Sequence, residues 1–264
     1  MEKYLNKGIK EIINQYPETE KVLDEYNIGC APCNVGTCLL RDIVEIHNLS
    51  PEDEQELMAR IAGVIYPDRE IKIPQRKRTT QVSGEIKYSP PVKKLVDEHV
   101  LIKRLVALIP VVIDTIDIDS GEERQLILDV VDFIRSYADK YHHAKEEEIL
   151  FKYFDENLDI LKVIHEDHEI ARDHVKTVLE AVNNRDKNNV VNHLNAYKEL
   201  LTEHIKKEDE ILYPWMDRNL STHDIGKLFL KFADVDRQFE NASEKYRKFV
   251  DKLETKLKSK EMVK

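Results

Sequence analysis

The sequence predicts an all-α protein centred on an antiparallel four-helix bundle. Of its 264 residues, 35% are charged and 41% hydrophobic, with only seven Gly. That is the balance of long amphipathic helices rather than of a β-sandwich or a disordered chain. From residue 91 onward apolar residues recur in alternating steps of three and four, the spacing of one helix face. The breaks at Ser120-Gly121, Asp155-Glu156-Asn157 and Asn183 to Asp186 are short, so neighbouring helices should pack antiparallel.

Residues 1–66 read as a small helical unit, in which Ser50-Pro51-Glu52-Asp53 opens a helix with a capping box and Pro at the first helical position. Residues 67–90 read as a linker, because Pro67, Pro74, Gly84 and Pro90 break the helical pattern. Thr79 to Tyr88 has the composition of a short hairpin around Ser83-Gly84, and Arg76-Lys77-Arg78 reads as a solvated basic run. Helices are expected over 91–117, 121–154, 157–184 and 187–219, giving a bundle domain at 91–220. Residues 221–264 carry a fifth amphipathic helix, about 222–258, opened by the capping box Ser221-Thr222-His223-Asp224. Its apolar residues Leu228, Phe232, Val235, Phe239, Ala242, Tyr246, Phe249, Leu253 and Leu257 need a partner. Packing on the bundle or the N-terminal unit comes first, and a homodimer coil second.

Each bundle helix is apolar along its inward stripe except at one level. The first stripe reads Leu95, His99, Ile102, Val106, Ile109, Ile113, and the second Ile127, Val131, Ile134, Ala138, His142, Glu146, Ile149. The third reads Leu161, Ile164, His168, Ala171, Val175, Val178, Val182, and the fourth Val190, Leu194, Tyr197, Leu201, His204, Glu208, Ile211. Burying one unpaired carboxylate costs roughly several kcal/mol, and two together repel. Four imidazoles and two carboxylates in one apolar interior therefore call for bound cations.

An internal repeat supports this. His142 to Phe151 and His204 to Tyr213 both read H-x-x-K-E-x-E-I-L-aromatic, and Glu98-His99 is echoed by Asp167-His168, each with a basic residue after it. A spacing of four sets His and Glu on one helical face, one turn apart. Two His per metal and two carboxylates bridging both metals give four protein ligands each. An oxo or hydroxo bridge on oxidation would make five, leaving a position for a small molecule. Imidazole with carboxylate suits iron or manganese, while the lack of thiolate at this level disfavours structural zinc. His143, His165 and His174 are expected at the surface or behind the ligands. Glu147, Glu148, Asp209 and Glu210 are expected to form a solvated face, with Asp209 also a candidate for the shell behind the ligands.

The net charge of −10 argues against nucleic acid or an anionic membrane as a main partner. The N-terminus has no signal-peptide core, and the longest apolar run, Leu105 to Ile113, is too short to span a bilayer and contains Pro110. A soluble, cytoplasmic protein is expected. Cys30, Cys33 and Cys38 lie within nine residues, an odd and clustered set unlike a disulfide scaffold. They are candidates for a redox or iron-handling dithiol, a metal clip or part of a shared cluster, or for turn cysteines without redox work.

The doubled H-x-x-K-E-x-x-I-L-aromatic motif with a lone His on each other helix resembles the hemerythrin-like (HHE) cation-binding domain. Tyr213-Pro214 fits the aromatic-Pro that ends this motif, while Phe151 lacks the Pro. The resemblance covers about half the chain and implies a carboxylate-bridged pair of non-heme iron ions that meets O₂, NO or peroxide. Oxygen-carrying hemerythrin has a second His four residues after the lone His of its third helix, where this chain has Arg172. Four His and two Glu are instead similar to the iron–sulfur cluster repair (Ric/ScdA-type) di-iron proteins, which also carry a small cysteine-bearing N-terminal domain. Cys30-Ala-Pro-Cys33 after Tyr26-Asn27-Ile28-Gly29 looks like that domain. It differs from the adjacent cysteines of the repair proteins and is closer to related CxxC-bearing helical domains. The resemblance leaves three roles open: iron donation or cluster repair with iron–sulfur proteins or an electron donor as partners, O₂ or NO sensing or carriage, and reduction of NO or peroxide.

Overall fold

The computed structural model describes residues 2–26, 28, 39–41, 43, 49, 51–69, 71 and 88–261. Cys30, Cys33 and Cys38, Ser50, the basic run Arg76–Arg78 and the candidate hairpin up to residue 87 lie outside the described residues. Among those described, the only extended pairing is an isolated bridge between Gly8 and Leu39. No helix among the described residues is long and apolar enough to cross a membrane.

The chain divides into two compact units, residues 1–87 with 157–163 and 211–218, and residues 88–156, 164–210 and 219–264. The first unit contains α1 (Glu2–Leu5), α2 (Ile9–Gln15), α3 (Glu18–Asp24) and α4 (Pro51–Ile65). It has its own core, in which Ile9, Ile12, Leu23, Ile28, Leu40, Ile43, Leu57 and Ile61 are fully buried.

The second unit holds the bundle apart from residues 157–163 and 211–218. Its first segment is α5 (Pro90–Asp114), and its second starts as α6 (Gly121–Phe133), capped by the Ser120 hydroxyl accepting from the Glu123 amide. Beyond Phe133 the second segment changes pitch. Ile134–His143 and Glu146–Leu150 are π-helical, and Phe151–Tyr153 is a 3₁₀ turn. The Ala144 amide donates to the Asp139 carbonyl, five residues back, as a π turn requires. The third segment is α7 (Asp159–Asn183). The fourth runs α8 (Lys187–Lys207), a π turn at Glu208–Leu212, and α9 (Tyr213–Asn219). Neighbours are antiparallel: Glu147 and Asp139 of the second segment meet His168 and Arg172 of the third, while His174 and Asp167 of the third meet His193 and Lys207 of the fourth.

The C-terminal segment departs from the single helix expected. It folds as α10 (Thr222–Gln238), capped by Ser221, and α11 (Ala242–Glu261). Asn241 breaks it with φ 67°, a left-handed conformation that Asn tolerates at a helix end. The apolar steps continue across this break because both helices pack on the bundle. Tyr246, Val250, Leu253 and Leu257 share one core with Leu101, Ile127, Phe133 and Leu194. Arg104 pairs with Asp251 at 2.6 Å and Glu254 at 2.9 Å, and Lys256 with Glu122 at 2.7 Å.

Candidate metal centre

His99, His142, His168, His204, Glu146 and Glu208 are all buried, none more than 1% exposed, at one level of the bundle. The six residues chosen from the sequence are thus brought together. His142 Nε2 lies 2.8 Å from His99 Nε2, and His168 Nε2 lies 3.0 Å from His204 Nε2. The two carboxylates sit between these imidazole pairs. Glu208 Oε2 is 3.3 Å from His99 Nε2 and 3.2 Å from His204 Nε2. Glu146 reaches His142 Nε2 at 3.8 Å and His168 Nε2 at 3.7 Å.

The outward nitrogen of every one of these rings is tied to a carboxylate. The Nδ1 atoms of His99, His142, His168 and His204 lie 2.7, 2.9, 2.5 and 3.2 Å from Asp209, Glu98, Glu147 and Asp167. A carboxylate only accepts, so each Nδ1 carries the proton and donates it, which turns the Nε2 lone pair inward. Such partners fix ring orientation and raise the basicity of metal-binding histidines. Each carboxylate in turn meets a cation: Lys145 at Glu98, Lys207 at Asp167, Lys103 at Asp209 and Arg172 at Glu147.

The internal repeat now has a physical meaning. The acid before each lone His (Glu98, Asp167) holds the His of the following helix pair member, and the Lys of H-x-x-K-E clamps that acid. The residue after each ligand Glu (Glu147, Asp209) holds the lone His of another helix, and the basic residue four after that His clamps it.

Residues 91–216 match the family model of the hemerythrin HHE cation-binding domain. No curated protein and no solved structure matches the chain.

The residues of the matched segment fit the cations that the family's description implies. Both oxygens of Glu208 are buried and accept no well-formed hydrogen bond, which costs about 1–3 kcal/mol per group when nothing compensates. Burial pushes the Glu208 carboxyl up, but His204 and His99 outweigh it and hold it well below the usual carboxylate range. Burial pulls His204 down, yet Glu208 and Asp167 raise it to about 9. His99 is raised by Asp209 and Glu208 against the same burial. Burial and the His99 charge push His142 down to about 4. The interior carboxylates thus demand positive charge, which protein groups alone supply only by protonating two of the rings.

Two expectations are corrected. Glu147 and Asp209 do not belong to a solvated face, since both accept from ligand imidazoles, whereas Glu148 and Glu210 are exposed as expected. Asp209 turns to the outward nitrogen of His99, which puts it behind the ligands. His143 takes the second of its two expected placements, behind the candidate ligands: it is 4% exposed, and its ring stacks on His168 at 3.8 Å. His165 packs edge-on against Phe151 at 5.5 Å and touches none of the six, while His174 faces His193, Nδ1 to Nδ1 at 2.9 Å.

A cavity of about 240 Å³ opens beside the centre, lined by Ile134, Ala171, Val175, Leu179 and Tyr197 with His143 and His168 on its polar wall. Arg135, Arg172 and Lys176 also line it.

Proposed function

We propose that the protein holds two non-heme iron ions at His99, His142, His168, His204, Glu146 and Glu208, and that this centre takes up O₂, NO or peroxide in the cytoplasm. Its output is iron donation or iron–sulfur cluster repair under oxidative or nitrosative stress. The observation that carries this reading is the pair of buried carboxylates lying between two imidazole pairs whose outward nitrogens are all tied. Imidazole with carboxylate favours iron or manganese over zinc. Two irons, when bound, supply one-electron exchange and an affinity for small diatomic ligands. The chain holds the rings with Glu98, Glu147, Asp167 and Asp209, keeps bulk water out with the apolar stripes, and offers small neutral molecules an apolar cavity. Cys30, Cys33 and Cys38 serve as electron or sulfur-bound iron carriers.

Protein purified without air should contain two irons per chain and develop a charge-transfer band on exposure to O₂, with a separate spectral change on NO. A protein that takes up no iron, or takes it up equally after all six residues are replaced, ends the reading. Cys30→Ser and Cys33→Ser should spare the bundle iron and lose the rescue of damaged clusters. If both variants rescue as well as wild type, the repair output falls while the di-iron assignment stands.

One observation favours a sensor as the second reading. Asp236 of α10 bonds Lys145 at 3.0 Å, and Lys145 holds the Glu98 that orients His142, so the C-terminal helices are mechanically tied to one side of the centre. A ligand-dependent change in amide exchange across residues 222–261 supports sensing; unchanged exchange eliminates it.

A further inference from the structure

We infer that the cavity beside the centre is a binding site for a small hydroxylated aromatic carboxylate, held through its carboxylate by Arg135 and Lys176 and through its hydroxyl at the His143 end. The polar contacts of this site use none of the six candidate ligands. It therefore goes beyond the di-metal reading and does not depend on which metal the centre holds.

Helix register gives the cavity its length and its two ends. Arg135 lies eight residues before His143 on the second segment, and Lys176 lies eight residues after His168 on the third. These segments run antiparallel, with Asp139 meeting Arg172 midway, so both cations stand about two turns, roughly 10 Å, from the histidine end. Between the ends the wall is Ile134, Ala171, Val175, Leu179 and the Tyr197 ring, around a volume of about 240 Å³. An apolar cavity of about 150 Å³ holds benzene. One aromatic ring thus fits here with room for a small polar group at each end.

The two ends call for different groups. Arg135 and Lys176 are exposed, and neither forms an ion pair or hydrogen bond among the described residues, in a chain whose net charge is −10. The remaining cation of the wall, Arg172, is already engaged by Asp139 at 2.9 Å and Glu147 at 2.7 Å. Two uncommitted cations at one level fit a carboxylate, which accepts from both. At the inner end His143 Nδ1 is buried without a hydrogen-bond partner, and Asp139 stands 3.6 Å away from it. The Tyr197 hydroxyl, on a side chain 2% exposed, also makes no hydrogen bond among the described residues. A neutral imidazole nitrogen donates or accepts according to its tautomer, and a hydroxyl answers either because it does both. A second carboxylate there would face Asp139, and an ammonium would face Arg172. A rigid ring holds hydroxyl and carboxylate at a fixed separation, so less freedom is lost on binding than with a flexible chain.

The test is isothermal titration calorimetry of the full chain as purified, with 4-hydroxybenzoate as the probe and benzoate, phenol and octanoate as comparators. One molecule of 4-hydroxybenzoate should bind per chain, at least about tenfold tighter than benzoate or phenol, each of which lacks one polar end. The double variant Arg135→Gln/Lys176→Gln, at exposed positions, should weaken 4-hydroxybenzoate by at least about tenfold. Val175→Phe, which fills the cavity, should abolish binding. No saturable binding of 4-hydroxybenzoate overturns the inference, and so does binding that the double variant leaves unchanged, which would place the acid elsewhere. Octanoate binding as tightly as 4-hydroxybenzoate overturns it as well, by making an aliphatic chain the occupant. Should Val175→Phe not fold by circular dichroism, the double variant decides. Metal content measured on the same samples tests the di-iron reading separately.

Discussion

On the His99/His142 side of the centre, the outer lysine is sealed in. Lys145 is fully buried, paired with Glu98 and with Asp236 of α10, and lies 3.4 Å from the centre of the Tyr141 ring. On the His168/His204 side, the equivalent Lys207 retains 10% side-chain exposure and holds Asp167 at 2.5 Å, and the neighbouring wall is a cavity reaching His143 and His168. The repeat in sequence therefore builds two half-sites with the same ligands and the same carboxylate–histidine supports, and the two differ in what covers them. The C-terminal helices close one half, and an apolar cavity lies beside the other. A doubled motif fixes the chemistry of a site, while the elements outside the motif decide which side stays accessible.

Glu208 belongs to both halves, so its loss should erase the comparison altogether. Glu208→Gln keeps the shape and removes the charge that faces His99 and His204. Affinity at both metal positions should fall by at least about 100-fold, beyond the usual penalty for losing a supporting partner. Competition with a chelator of known affinity reads this, and loss at one position only would show that Glu208 serves a single metal.

The lysines sharpen the contrast. Lys145→Met leaves Glu98, itself 5% exposed, in an apolar setting without its cation, and a broken buried pair costs about 3–5 kcal/mol. Lys207→Met leaves Asp167, 8% exposed and not covered by α10, and should cost about 1.5–3 kcal/mol, the range for losing a hydrogen bond to a charged group. Urea midpoints of the two variants measure the difference; equal losses would mean that α10 adds no sealing. Asp236→Ala is the milder version, removing bonds to Lys145 at 3.0 Å and the Tyr141 hydroxyl at 2.8 Å. It should cost about 1–2 kcal/mol and weaken metal binding on the His142 side while sparing the His204 side.

How much of this was legible in the sequence depended on whether a residue obeyed the 3.6 period. The six ligand candidates interrupt apolar stripes, so periodicity exposed them. Glu98, Asp167, Lys145 and Lys207 were present in the doubled motif, yet on their own helices they look like ordinary surface charges; only the neighbouring helix makes them interior. His143 and Glu147 fall one residue off the stripe, and nothing in the apolar pattern announces the π turns at Ile134–His143 and Glu146–Leu150 that bring them in. The break at Asn241 was hidden for the opposite reason, since the steps of three and four run through it unchanged.

The smallest effect is the pH dependence of the chelator-stripped protein, where each half-site carries one histidine pushed in each direction. His142 is lowered from 6.5 to about 4 by burial and His99, and His168 lies well below 6.5 through burial and the charges of His143 and His204. For these two the unfolded chain takes up protons first, so stability should fall as pH drops from 6.5 toward 4. His204 is raised to about 9, burial being outweighed by Glu208 and Asp167. Its contribution is complete below 6.5 and is lost as pH rises through about 9, when Glu208 comes to face a neutral ring. Thermal midpoints of the stripped protein should thus decline on both sides of neutrality, and His204→Gln should lessen the alkaline decline, the remainder belonging to the raised His99. Iron loading commits the same nitrogens to metal and should remove the alkaline decline in wild type. A decline that persists unchanged in the loaded protein would place His204 outside the metal's reach and leave the two halves of the centre unequal in ligands as well as in cover.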